Sequence, residues 1–190
     1  MRDQMAAESA KRRYTYAELV AELPRSNRPS ELWDGELIMS PAPSFYHQEV
    51  TLRFYRQLYD WVAGRKLGKV IAGPVDMVLS PHRVTQPDVA YVSLGRLGII
   101  SETISGAADL AAEIISLGNR NRDRIEKRDL YEQYGVREYW LIDPEARTVE
   151  VLVLERGRYQ LHQRAAAGEA AQSKLLPGFS IAVAELFAGD

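Results

Sequence analysis

Asp109-Leu110-Ala111-Ala112-Glu113-Ile114-Ile115-Ser116 is a short, mostly apolar run with a single carboxylate in its middle. Gly118 and Asn119 follow at once, and a polar stretch of helical character begins at Arg120. A run of this length and composition reads as a strand buried at the centre of a sheet. Glu113 is costly there unless a cation or hydrogen-bond donors meet it. Upstream, Pro87-Asp88-Val89-Ala90-Tyr91-Val92 predicts a second strand, with Asp88 near its start. Downstream, Arg120 to Tyr134 predicts a helix that carries Lys127. Two acids on neighbouring strands and an amine on the next helix suit a hard divalent cation, which takes oxygen ligands and keeps positions for water.

Each residue also has a plainer reading. A Pro-Asp pair is commonly a turn or the start of a strand. Glu113 could be half of a buried ion pair with Lys127 or an arginine. Lys127 could be a solvated lysine paired with Asp123, four residues earlier on the helix. A glutamate inside so apolar a strand favours a working or ion-paired group over a decorative one.

Composition narrows the rest. A chain of 190 residues with 46% apolar residues can bury one substantial core. The absence of cysteine excludes disulfides, zinc–thiolate sites and thiol nucleophiles, and fits a cytoplasmic setting. No apolar run reaches membrane-spanning length, so no membrane partner is expected. Residues 1–13 form a polar, alanine-rich leader without a hydrophobic signal core, and residues 14–190 form one domain. The formal net charge of -2 gives no general attraction to a polyanion, so any steering must be local.

Along the chain, Tyr14 to Leu23 predicts a short amphipathic helix that stops at Pro24. Asp34-Gly35 between apolar stretches predicts a hairpin of residues 31–33 and 36–39. Ser40 to Ser44 breaks that strand and caps a helix from Phe45 to about Ala63, where Val50, Phe54, Leu58, Trp61 and Val62 mark an apolar face. Arg53, Arg56, Arg65, Lys66 and Lys69 make this helix and its exit basic, either as a solvated face or as a phosphate contact. Lys69 to Leu79 predicts one strand kinked at Gly73-Pro74. Ser80 to Thr85 reads as a turn, Gln86 to Ser93 as a strand, and Leu94 to Ala108 as a loop. After the Arg120–Tyr134 helix, Gly135 acts as its cap. Residues 136–142, 148–154 and 158–163 then predict a β-meander, 165–173 a loop, and 175–183 a last short strand before a closing helical turn. The order from Phe45 to Ile142 is α-β-β-β-α-β, an α/β (α+β) domain with a mixed central sheet and appended hairpins.

The blocks GELIMSPAPSFYHQ, QPDVAYV, DLAAEIIS and KRDLYEQYGVREYWLIDP, in this order, resemble the PD-(D/E)XK nuclease superfamily and, within it, the Uma-two family of restriction-endonuclease-like proteins. The likeness runs from about residue 14 to the C-terminus, and the superfamily uses the same α-β-β-β-α-β core. One position departs from the pattern: the third motif residue is Ile115, and the resemblance implies that its lysine has moved to the next helix as Lys127. The resemblance further implies magnesium or manganese as cofactor, with Asp88, Glu113 and the Ile114 carbonyl as ligands. It places His47, of the His47-Gln48 pair, beside the metal as a water-positioning base or outer partner. It makes Glu31 an auxiliary ligand or a partner of His47. Gly35, Tyr131, Gly135, Tyr139 and Trp140 also match, and read as turn, cap and core.

Together these expectations describe a metal-dependent endonuclease hydrolysing phosphodiester bonds in nucleic acid, with DNA foremost. Asp88, Glu113, Lys127, His47 and Glu31 form the expected catalytic set, with Arg120, Arg122, Arg124 and Arg128 steering phosphate around the helix. Cutting both strands of a duplex needs two sites, so a homodimer is expected, with the β-meander offering a surface. Two alternatives stay open: a non-catalytic nucleic-acid-binding or interaction protein on the same scaffold, and a hydrolase of RNA or a small phosphodiester.

Overall fold

The computed structural model describes residues 12–22, 30–116 and 122–188, without the side chains of residues 122 and 123. In chain order, helix α1 (Tyr16–Glu22) precedes the hairpin β1 (Ser30–Trp33) and β2 (Glu36–Met39), then the long helix α2 (Phe45–Arg65). Strands β3 (Gly68–Ala72), β4 (Met77–Ser80), β5 (Arg83–Thr85) and β6 (Val89–Ser93) follow. A 3-10 turn (Leu94–Ile99) leads to β7 (Ile104–Ser105) and β8 (Leu110–Ile114). A π turn (Arg122–Lys127) opens into α3 (Arg128–Tyr134), followed by β9 (Glu138–Asp143), β10 (Thr148–Glu155), β11 (Arg158–Ala165), β12 (Ala170–Gln172), β13 (Ser180–Ala182) and α4 (Val183–Leu186).

The main sheet has six strands in the order β11-β10-β9-β8-β6-β3, parallel only between β8 and β9. Its elements α2-β3-β6-β8-α3-β9 reproduce the expected α-β-β-β-α-β core and mixed α/β class. The stretch read as the central strand lies inside this sheet, and all five residues of β8 are buried. Alternation along β8 splits it between two cores. Leu110, Ala112 and Ile114 join Phe54, Leu58, Trp140 and Phe179 beneath α2. Ala111 and Ile115 join Tyr131, Val136 and Tyr139 beneath α3. Both flanking helices are needed because a strand buried on both faces leaves neither face to water.

The β1–β2 hairpin forms as expected, with Asp34 at φ 49° and Gly35 at φ 82° supplying the left-handed pair that a tight turn demands. Elsewhere the structure corrects the sequence. Residues 69–79 do not make one kinked strand: β3 belongs to the main sheet and β4 to a second one. Gly73 lies so close to the chain that a Cβ there would sit 2.6 Å from the Pro87 carbonyl, and Pro74 has no N–H to continue a ladder. The chain therefore leaves the main sheet at this point. The expected turn at 80–85 contains β5, because Val84 and Thr85 are buried and pair with β4 and β1. The expected loop at 94–108 contains β7, which pairs in parallel with β4. The result is a second sheet, β2-β1-β5-β4-β7. The expected loop at 165–173 contains β12, paired with β13. The strand expected from Gln86 starts at Val89, since residues 86–88 span the gap between the two sheets. Residues 1–11, where most of the expected leader falls, lie outside the described residues, as do 23–29 and 117–121.

Two buried carboxylates brace the frame. Glu138 accepts from Trp140 Nε1 (2.7 Å), Ser173 Oγ (2.6 Å), and the backbone N–H groups of Lys174 (2.8 Å) and Leu175 (2.7 Å), which straps the C-terminal segment to β9. Asp109 accepts from the Ser93 N–H (2.8 Å) and pairs with Arg96 (2.9 Å), just before β8 begins at Leu110. Burial alone would raise the Asp109 carboxyl, but the bonds from Ser93 and Arg96 outweigh it and leave the group below the usual aspartate range. A carboxyl lowered on folding stabilises fully above its unfolded value and loses that contribution as pH falls through its folded one. Asp109→Asn is therefore expected to cost about 1–3 kcal/mol at pH 7. It should also flatten the loss of stability below about pH 4, as read from urea midpoints across that range.

Candidate active site

The residues singled out on sequence come together at the open end of β6 and β8. The register Val89↔Ala112, extended by one residue, sets Asp88 directly across from Glu113. Glu113, only 3% exposed, points to the α3 side. Its Oε2 meets Lys127 Nζ at 2.9 Å and its Oε1 accepts from the Tyr131 hydroxyl at 2.7 Å. Lys127 and Tyr131 are four residues apart, so one helical side presents both. Lys127 also reaches Glu31 Oε1 at 3.2 Å. Glu31 in turn accepts from the Gln86 N–H (3.0 Å) and Trp33 Nε1 (3.1 Å). Lys127 is 6% exposed, so it is not the solvated lysine of the plainer reading. The buried ion pair with Glu113 is present, and Glu31 makes it a triad. Burial pushes the Tyr131 phenol well above its ordinary value, and the charges of Glu113 and Glu31 add to this, so Tyr131 stays a donor.

Asp88 stands on the cavity side of this triad. Its Oδ2 accepts the Ile114 N–H at 2.8 Å and lies 3.3 Å from His47 Nε2. The N–H and C=O of one strand residue point the same way, so the Ile114 carbonyl is directed to the Asp88 side as well. His47 sits in the first turn of α2, whose N-terminus is capped by Ser44 Oγ accepting the His47 N–H (3.2 Å). Its Nε2 faces Asp88 and its Nδ1 lies 3.5 Å from Thr51 Oγ1, while Glu31 is engaged with Lys127.

These groups line a cavity of about 520 Å³, rimmed by Pro41, Pro43, Pro74 and Pro144. Four carboxylates line it (Glu31, Asp88, Glu113 and Glu145) against Lys127 and His47, so its formal charge is negative. Among the described residues no group of three or more His, Asp or Glu side chains converges tightly enough to hold a metal ion. The donor types nevertheless fit a hard divalent cation, since two opposed carboxylates and a carbonyl supply oxygens while water fills the remaining positions. A negative cavity that admits phosphate also needs added positive charge.

The expected arginine collar is only partly available. Arg124 is bound to Asp143 (2.9 Å) and Glu150 (3.2 Å), and so ties the π turn to β9 and β10. Arg128 is exposed, while Arg120 and the side chains of Arg122 and Asp123 lie outside the described residues. On α2, Arg53 bonds Glu49 and the Leu186 carbonyl, and Arg65 lies over the Trp61 ring, so these are not free phosphate contacts. The sequence reading set Tyr131 on the side of Lys127 but gave it a core role, and it missed Gln86, Trp33 and Glu145. Only Tyr131 carried a signal, its i+4 spacing from Lys127.

The family model Uma2, described as "putative restriction endonuclease", matches residues 17–184. The chain belongs to this family. Five solved chains match, among them the crystal structure of a "putative nuclease belonging to DUF820" from Anabaena variabilis ATCC 29413. That match has a TM-score of 0.75 and 19% identity, and covers 91% of this chain and 97% of the other. At that identity the likeness establishes the fold of this Uma2 chain. No curated protein matches it. No helix among the described residues is long and apolar enough to cross a membrane.

The triad carries its own test. Lys127→Met leaves Glu31 and Glu113 buried beside each other without their cation, at an expected cost of about 3–5 kcal/mol at pH 7. Removing one of the two charges relieves that repulsion. Lys127→Met combined with Glu113→Gln should therefore be less destabilised than Lys127→Met alone, in urea unfolding at pH 7 followed by tryptophan fluorescence.

Proposed function

We propose that this Uma2 chain is a divalent-metal-dependent endonuclease that hydrolyses phosphodiester bonds in nucleic acid, with DNA as its foremost substrate. The observation that supports this most strongly is the meeting of Asp88, Glu113, Lys127 and His47 in one cavity, in a family described by restriction-endonuclease chemistry. Asp88, Glu113 and the Ile114 carbonyl would hold magnesium or manganese. Such an ion supplies a lowered water pKa and Lewis-acid stabilisation of phosphoryl oxygens.

The chain's own groups divide the remaining work. In hydrolysis a water oxygen bonds to phosphorus and the P–O bond to the leaving sugar oxygen breaks. One proton leaves the water and one must reach the departing oxygen. Were Asp88 to turn its oxygens to the cation, the neutral His47 imidazole beside it at the cavity wall would be the group placed to take the proton from water, while solvent water returns a proton to the departing oxygen. The Lys127 ammonium, between two carboxylates, acts as a fixed charge that holds Glu113 in place and offsets charge gathering on the phosphate. Tyr131 fixes the other Glu113 oxygen from below. Glu31 orients Lys127, and the Gln86 N–H and Trp33 indole orient Glu31.

One observation favours the non-catalytic alternative: both Glu113 oxygens are already satisfied by Lys127 and Tyr131. A self-satisfied carboxylate can serve the fold alone. The two readings separate on metal. The nuclease reading expects manganese or magnesium to raise the thermal midpoint, and expects cleavage of plasmid, single-stranded DNA or RNA only when the ion is present. Asp88→Asn and Glu113→Gln should each abolish the metal-induced shift and lower cleavage more than about 100-fold. His47→Ala should keep the shift but lose about 10²–10⁴ in rate. A wild-type chain that neither gains stability with metal nor cleaves any of the three polymers leaves the scaffold reading in place.

A further inference from the structure

We propose that the outer face of α2 is a self-complementary docking surface on which a second copy of this chain lies antiparallel. Phe45, Leu52 and Tyr59 are 79%, 57% and 47% exposed, large for side chains of their kind. They are spaced seven residues apart, and at 100° per residue a seven-residue step drifts by only about 20°. The three thus make one straight apolar stripe, about 21 Å long, down the side of α2 opposite its buried face of Val50, Phe54, Leu58 and Val62. Tyr59 stacks on Tyr55 at 5.6 Å, which holds its ring in place without covering it. A seven-residue repeat supplies one of the two seam positions that a second helix covers, with Gln48 and Tyr55 at the other.

The charges beside the stripe select the occupant. A two-fold axis through Leu52 pairs each position with the one whose number makes their sum 104. Leu52 then meets Leu52 of the second copy, and Phe45 meets Tyr59, at both ends of the seam. Arg56 and Glu49 lie on the same flank of the stripe, and such an axis brings Arg56 of one copy within one residue's rise of Glu49 of the other, twice by symmetry. Glu49 is 36% exposed and within reach, although it also bonds Arg53 of its own helix. Aromatic on aromatic, leucine on leucine and arginine on glutamate all follow from a single axis. That agreement favours a second copy over an unrelated partner. The seam alone is smaller than a standard interface of about 1,200–2,000 Å², so the dimer is expected to be weak, on the order of micromolar. This inference does not depend on the nuclease reading.

Sedimentation equilibrium of the full chain over a concentration series tests it. Wild type is expected to dimerise reversibly, and Leu52→Glu to weaken association at least tenfold with an unchanged thermal midpoint. Arg56→Glu and Glu49→Arg should each self-associate less than wild type, because each puts like charges at both flanking contacts. An equimolar mixture of these two variants should regain the dimer, because in the mixed pair both contacts are again opposite in sign. A wild-type chain that stays monomeric throughout, a dimer indifferent to Leu52→Glu, or a mixture no more associated than its components would each overturn the proposal. So would a Phe45→Ala chain that dimerises like wild type but loses affinity for single-stranded oligonucleotide, which would assign the stripe to base stacking.

Discussion

An ammonium buried between two carboxylates holds the working end of this molecule together. Lys127 reaches Glu113 on the central strand and Glu31 on the N-terminal hairpin, joining α3, the six-stranded sheet and the five-stranded sheet at one point. Each of these charges would be heavily disfavoured inside the protein alone, and each is tolerable only because the others are present. The apolar packing of β8 against α2 and α3 builds the frame. The triad decides how the second sheet closes onto it.

The second sheet grows from the place where the first is interrupted. At Gly73-Pro74 the chain leaves the main sheet, runs through β4 and β5, and re-enters at β6 through Gln86-Pro87-Asp88. Those three residues do the joining. The Gln86 side chain donates to Asp76 (2.7 Å) and accepts from the Ser30 N–H (3.1 Å), while its own N–H supports Glu31. Asp76 is also bound by the Tyr16 hydroxyl (2.8 Å), which brings α1 into the same chain of contacts. Two residues on, Asp88 faces the cavity. The acid proposed to bind metal and the bracing of the two sheets thus share one tight link, and displacement of either would be felt by the other.

The same economy limits where polyanion could be received. Among the described residues, Lys127 is engaged by two acids and Arg124 by Asp143 and Glu150. The cavity is acidic and rimmed by prolines, a surface that gains affinity for phosphate chiefly through an added cation. A formal charge of -2 for the whole chain points the same way.

Much of this was legible in the residues themselves. An apolar run with one acid in it, a Pro-Asp before a second run, and a helix after both are local signals. Local signals determine strand, helix and hairpin here because burial imposes a strict period on each. The α-β-β-β-α-β order and the Asp34-Gly35 turn follow from that alone. What the sequence could not decide was which distant groups would meet. Residues 69–79 carry one continuous strand pattern, yet the crowding of Gly73 against Pro87 divides them between two sheets. Tyr131 has the periodicity of a core residue, and only the fold shows its hydroxyl on Glu113. Glu31 has no sequence feature that names its partner, because its place beside Lys127 depends on two sheets closing against each other across nearly a hundred residues of chain. Periodicity encodes which face of an element is buried, whereas the pairing of charges across elements exists only once the elements are packed.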